Sequence, residues 1–199
     1  MQPAYYEDFK EIKKKIWSIL DDAVINRSSP FRVPVFICGD QSNFDGRTIV
    51  LRKSDKLNNL LQYHTDIRSD KIVKLKNNKN ASMLFYDKEE KIQIRIKVEC
   101  TINHNNEITK KSWSKTGHMS RKCYLVDSGP GTESGIPTSG LNPTVDNFGF
   151  TMEQSEEGYK NFAVIQCKIE TIEWLYLAAK GHRRARFNLE TNKDTWLIP

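Results

Sequence analysis

Residues 91–103 read KIQIRIKVECTIN. Ile92, Ile94, Ile96 and Val98 fall on every second position, so an extended chain puts all four on one face and Gln93, Arg95 and Lys97 on the other. A helix would scatter them around its axis. The alternation therefore predicts a long strand over Lys91 to Asn103, with one face in a core. Working outward, Ala81 to Tyr86 predicts the strand before it. Further strands are predicted near 161–170, 171–178 and 183–189, with a last short one at Trp196 to Ile198. On the other side Phe31, Val33, Val35 and Ile37 alternate. Asp45-Gly46 reads as a turn, and RTIVLRK at 47–53 as a second strand closing a hairpin. His64 to Asp66 is a candidate short strand.

Helices fill the connections. Tyr5, Phe9, Ile12, Ile16 and Ile19 recur at steps of three and four, predicting an amphipathic helix over 5–22. Ser54-Asp55 is read as capping a short helix with Leu57, Leu60 and Leu61, and Ser69-Asp70 as capping another to about Lys76. Glu107 to about Met119 is read as a helix carrying Trp113. Residues 127–149 hold five of the ten glycines and three of the seven prolines. That composition predicts a long loop, of the kind that is functional or disordered. The fold class expected is α+β, mainly antiparallel β, built as one barrel-like domain over 1–199. Residues 1–25 carry its N-terminal helix and 127–149 its long loop.

A chain of 199 residues with 38% hydrophobic residues is long and apolar enough to bury a core. Its formal net charge of +6 suits an anionic ligand without choosing among phosphate cofactor, anionic substrate and nucleic acid. Cys38, Cys100, Cys123 and Cys167 form no C-x-x-C pair and have no histidine at zinc spacing, so no metal site is expected. No apolar run reaches the ~18 residues of a membrane span, nor does the N-terminus resemble a signal peptide, so a cytoplasmic protein is the expectation. The G-x-G-x-x-x-G of Gly129, Gly131 and Gly135 lacks a following G-K-[ST], and no G-x-S-x-G occurs.

One constellation carries chemistry. Arg47 and Arg52 end the RTIVLR run, and five steps along a strand put them on opposite faces. His64-Thr65, Ser69 and Lys71 follow. Hydroxyls, a helix N-terminus and cations in one place suit a phosphate dianion. For any one of these residues alone, a cap or a solvated surface charge is the simpler account.

Taken in order, these segments resemble the pyridoxamine 5′-phosphate oxidase family. That family carries an R-x-V-L-L-K strand, then Y-T, then S-R-K at a helix start, a Gln on a long strand, E-x-W, and an H-x-R-F segment. Here they align with Arg47 to Arg52, His64-Thr65, Ser69-Asp70-Lys71, Gln93, Glu173-Trp174 and the HRRARF run at 182–187. Three features resemble a broader FMN-binding branch of the family more than the vitamin-pathway oxidase itself. These are the ending Trp196 to Pro199, Trp113 followed by Ser120-Arg121, and the sequence Gly129-Pro130-Gly131.

The resemblance implies a split β-barrel that binds FMN at the interface of a homodimer. It implies that Arg47, Thr65, Ser69 and Lys71 meet the FMN phosphate, with His64 beside them where the family has Tyr. Thr48, Ile49 and Val50 would present backbone along the flavin, and Arg52 and Gln93 would lie at the isoalloxazine edge. Trp174 and Arg186, with Arg184 an alternative in register, would reach FMN from the partner subunit. Arg121, Lys180 and His182 are the candidate substrate residues. Asp70 stands where the family has Arg, a charge reversal. No general base is evident, and the expected function is a flavin oxidoreductase of unknown substrate. The alternatives are the vitamin-pathway oxidase proper, a non-catalytic flavin- or haem-binding relative, and, last, a nucleic-acid-binding module using Arg183, Arg184 and Arg186.

Overall fold

The computed structural model describes residues 7–39 and 43–199. Its centre is a pair of long antiparallel strands, β6 (Ile92–His104) and β7 (Phe162–Tyr176), in register from Ile92–Tyr176 to His104–Ala163 with a bulge beside Val98. On one side follow β5 (Asn80–Asp87), β1 (Val35–Gly39) and β2 (Phe44–Thr48). On the other, the first half of β7 pairs with β4 (Leu60–Asp66), which pairs with β3 (Leu51–Asp55), while its second half pairs with β8 (Arg183–Asn188) and so to β9 (Lys193–Leu197). Only Ile49 and Val50 separate β2 from β3, and the Ile49 amide donates to Pro34 O at 3.1 Å. That junction brings the two ends of the strand path together and closes the barrel.

The alternation read in 91–103 is what fills the barrel. Ile92, Ile94, Ile96 and Val98 point inward with Phe36, Leu51, Leu61, Tyr63, Met83, Phe85 and Trp174, all essentially buried. Each such side chain contributes roughly 1.5–3 kcal/mol on leaving water. Helix α1 (Phe9–Ile25) starts at Asp8, whose carboxylate accepts from the Lys10 and Glu11 amides, and buries Ile12, Ile16, Trp17, Leu20 and Ala23. α2 (Asp70–Asn77) follows β4, and α3 (Glu107–Ser114) follows β6 with an Asn106–Thr109 capping box. Trp113, Tyr124, Phe162 and Val164 form a second cluster that fastens α3 to β7. Three short helices follow: α4 (His118–Arg121), α5 (Pro143–Phe148) and α6 (Met152–Ser155). Among the described residues no helix is long and apolar enough to cross a membrane.

Several local expectations give way. Residues 54–61 form a hairpin: Asp55 accepts from the Asn58 amide at 3.1 Å, Asn59 takes a positive φ of 49°, and Leu60-Leu61 begin β4. The ladder from β4 to β7 outweighs the weak helix cap, and Leu57 is left 95% exposed at the hairpin tip. Asp45 and Gly46 lie within β2, paired with Cys38 and Ile37, because β1 supplies a partner strand. Residues 161–178 hold one strand, where two had been expected. Phe31 sits in a 3₁₀ turn (Pro30–Arg32), so the first strand starts at Val35. The first helix begins at Phe9, and Tyr5 falls outside the described residues. The helix expected to reach Met119 stops at Ser114. The 127–149 segment is irregular apart from α5; the Asp127 amide donates to Gly140 O at 3.3 Å, and Arg68 donates to Val126 O and Asp127 O.

Candidate functional site

Four expected residues meet at one end of the barrel. Thr65 ends β4, Ser69 is the N-cap of α2, and Lys71 lies in that helix's first turn. The Lys71 ammonium donates to Thr65 Oγ1 at 2.9 Å and to Ser69 Oγ at 3.2 Å, and the two hydroxyls lie 3.3 Å apart. Arg47 arrives from β2, on the same face as Phe36 across the ladder. Burial lowers the Lys71 pKa, and the nearby Arg47 charge adds to that. Two cations held close in a half-buried site favour an anion between them. Arg47 Nε is buried and has no hydrogen-bond partner among the described residues. This donor set fits a terminal phosphate. Two carboxylates share the site: Asp45 contacts Arg47 closely and lies 3.3 Å from Lys74 Nζ, while Asp70 lies 2.8 Å from Lys74 Nζ and 3.7 Å from Arg47. Thr48 and Ile49 have their backbones in the β1 junction, which leaves Val50 between the two ladders.

The parity of the β2–β3 run puts Leu51 in the core and Arg52 on the opposite face from Arg47. There it borders a cavity of about 570 Å³ between β3, β4, β7 and α3. Arg52, Lys53, Lys111 and Lys115 bring four cations to its lining, with Gln62, His64, Ser112 and Gln166 between them and no carboxylate in the lining. Gln62 donates to Ser112 Oγ at 3.2 Å, and Lys53 reaches Asp55 at 2.8 Å. Burial and then the Arg52 charge hold the His64 pKa down to about 4, so its ring is neutral at pH 7. Lys53, Gln62, Lys111, Ser112 and Gln166 were not singled out from the sequence. The readable signal was Lys111 and Lys115, one helical turn apart and off the Trp113 face.

A third group lies on the outer face of the sheet. Gln93, Leu175 and Arg184 share one row, and Arg95, Glu173 and Arg186 the next. Glu173 accepts from Arg184 Nη2 at 2.6 Å, from Arg186 Nη2 at 2.8 Å, and from Arg95. Burial alone would raise the Glu173 carboxyl; the three arginines outweigh it and hold the pKa at about 2. A depressed carboxylate stabilises the fold above its unfolded pKa, and that contribution is lost as pH falls through the folded value. Wild type should therefore exceed Glu173→Gln in stability by a constant margin above about pH 4.5, shrinking towards pH 2. Urea unfolding at a series of pH values checks this; a margin that does not change with pH would refute it.

Three expectations do not fit their surroundings. Trp174 is fully buried, facing inward between Ile94 and Ala185, so in this fold it cannot touch a partner's ligand; strand alternation exposes its neighbour Glu173 instead. Arg121 is buried and spends its guanidinium on Thr116 O, Trp113 O, Ser155 Oγ and Glu156, a structural set, and it does not line the cavity. Lys180 and His182 are exposed on the β7–β8 connection, and His182 Nδ1 accepts from the Ala178 amide at 3.0 Å. The structure does not bring them to the cradle or the cavity. Gln93 and Arg52 are also apart. Thr101 shares a row with Gln166, Gln62 and Lys53, and Gln93 lies eight residues further along β6, roughly 26 Å of strand.

The closed antiparallel sheet with its flanking helices defines a split β-barrel. A pyridoxamine 5′-phosphate oxidase-related, FMN-binding protein of Nostoc punctiforme superposes with a TM-score of 0.71 at 15% identity over 100% of both chains. PhzG of Burkholderia lata, solved in complex with tetrahydrophenazine-1-carboxylic acid, superposes at 0.69 with 16% identity over 100% of this chain and 98% of that one. Campylobacter jejuni ChuZ gives 0.57 at 9% identity, over 98% of this chain and 65% of its own. No curated protein matches significantly by sequence. Residues 19–104 match the family described as pyridoxamine 5′-phosphate oxidase, FMN-binding domain. Over these residues, fewer than half of the chain, the sequence is similar to that family, and the solved structures share its fold.

Proposed function

We propose that this chain is an FMN-binding flavoprotein that holds the flavin phosphate on Arg47, Thr65, Ser69 and Lys71 and oxidises or reduces an anionic substrate. The observation that carries the reading is the Lys71 ammonium resting on two hydroxyls beside an Arg47 whose Nε is buried without a partner. When bound, FMN would supply hydride transfer; the chain's own groups bind and orient. Arg52, Lys53, Lys111 and Lys115 hold the substrate's charge in the cavity, where a neutral His64 can accept or donate a hydrogen bond. PhzG's carboxylic-acid ligand is an anion of the kind such a lining would hold.

Because one chain does not bring Gln93 and Arg184 to Arg52, the site is read as complete only in a homodimer. In that dimer the outer face of one copy, with Gln93, Arg184 and Arg186, meets the FMN of the other. Tyr86, half exposed and paired with Gln93, adds apolar area to it. The test is titration of apoprotein with FMN and FAD followed by flavin fluorescence, with mass by light scattering of the loaded protein. Tight FMN binding, weaker FAD binding and a dimer mass are expected. Equal affinity for the two flavins, binding of neither, or a stable monomer with full FMN overturns the reading.

A further inference from the structure

We infer that Asp45 and Asp70 form a carboxylate latch that competes with an incoming phosphate for Arg47 and Lys74, and so limit the affinity of this cradle for phosphate-bearing ligands. The inference rests on the cradle assigned above. Arg47, Lys71 and Lys74 bring three positive charges to it, and Asp45 and Asp70 return two negative ones. Both carboxylates bind the same two cations, so the four groups form a closed quartet. Lys71 alone remains directed at the hydroxyls of Thr65 and Ser69. The cradle is thus close to +1 as it stands. A phosphate dianion entering with both carboxylates in place would face like charge within a few ångströms and leave an excess of negative charge.

The burial of the quartet is one-sided. The Lys74 and Arg47 side chains are 10% and 25% exposed, while those of Asp45 and Asp70 are 40% and 60% exposed. The cations are held by the fold and the carboxylates stand at its water side. Ligand phosphate can therefore take the cations only as the carboxylates turn outward.

The test compares wild type with Asp45→Asn, Asp70→Asn and the double variant. These are partly exposed, isosteric changes, and thermal unfolding checks that each variant folds. FMN, riboflavin and inorganic phosphate are titrated in parallel. Asp45→Asn should tighten FMN binding about tenfold, since Asp45 is the less exposed of the two carboxylates. Asp70→Asn should tighten it about threefold, because that carboxylate is more exposed and more screened. Riboflavin, which has no phosphate, should bind equally to all four proteins. Unchanged or weaker binding of both FMN and phosphate in the variants overturns the latch and makes the carboxylates supports that orient Arg47 and Lys74. If FMN binds none of the proteins but the variants gain affinity for inorganic phosphate, the latch stands and the flavin assignment fails.

Discussion

Arg47→Ala is expected to lower FMN affinity by about tenfold to hundredfold. A charge-assisted hydrogen bond is worth about 1.5–3 kcal/mol, and about 1.4 kcal/mol is a factor of ten. The upper end is the one to expect, for a reason the quartet makes concrete. Removing the guanidinium deletes a donor to the phosphate and also strips Asp45 and Asp70 of one of their two cations. The phosphate then meets Lys71 and Lys74 across two carboxylates that only Lys74 still holds. Adding Asp45→Asn to Arg47→Ala should recover part of the loss, because it removes one of the repelling charges. Fluorescence titration measures both. An Arg47→Ala protein with wild-type affinity would take this residue out of the cradle, and a double variant weaker than the single one would show that Asp45 helps the ligand.

What was legible in the sequence follows from which interactions are local. The period-two alternation at 92–98 needs no partner strand to be read, and it marked the barrel's central strand and its inward face. Thr65, Ser69 and Lys71 lie within seven residues, so a strand end running into a helix start brings them together almost inevitably. The opposite directions of Arg47 and Arg52 came from counting along one strand, and parity survives the break at Ile49-Val50. The misread elements depended on distant partners. Leu60-Leu61 looked like helix until β7 supplied a ladder, and Asp45-Gly46 looked like a turn until β1 did. The cavity was invisible for the same reason: Arg52 and Lys111 are 59 positions apart in the numbering, and only packing of α3 against β7 puts them on one wall. Trp174 was assigned through alignment with a motif, whereas its direction is set by the pairing of β7 with β6 and β8.

Arg121 separates a structural role from a binding role most sharply, and its replacement should cost the most stability. Its side chain is 5% exposed. Nε donates to Thr116 O at 3.0 Å and Nη2 to Trp113 O at 2.8 Å, so the guanidinium serves carbonyls at and just beyond the end of α3, where Trp113 O also accepts from the Thr116 amide at 2.9 Å. Nη1 reaches Ser155 Oγ at 3.1 Å and Glu156, tying α4 to α6, and the guanidinium carbon lies 4.5 Å from the Trp113 ring centre. Arg121→Met keeps much of the volume but strands these acceptors. Leaving buried acceptors unsatisfied costs roughly 1–3 kcal/mol apiece, so about 3–5 kcal/mol in all, against a total of about 5–15 for an ordinary domain. At this chain length that corresponds to a fall in Tm on the order of 10 °C. Lysine should rescue little, since a single ammonium cannot span carbonyl, hydroxyl and carboxylate in the planar geometry a guanidinium provides. Well below its lowered Tm, Arg121→Met should bind FMN with wild-type affinity. A variant that keeps its Tm and loses only the capacity to reduce bound flavin with an anionic substrate would instead return Arg121 to the site.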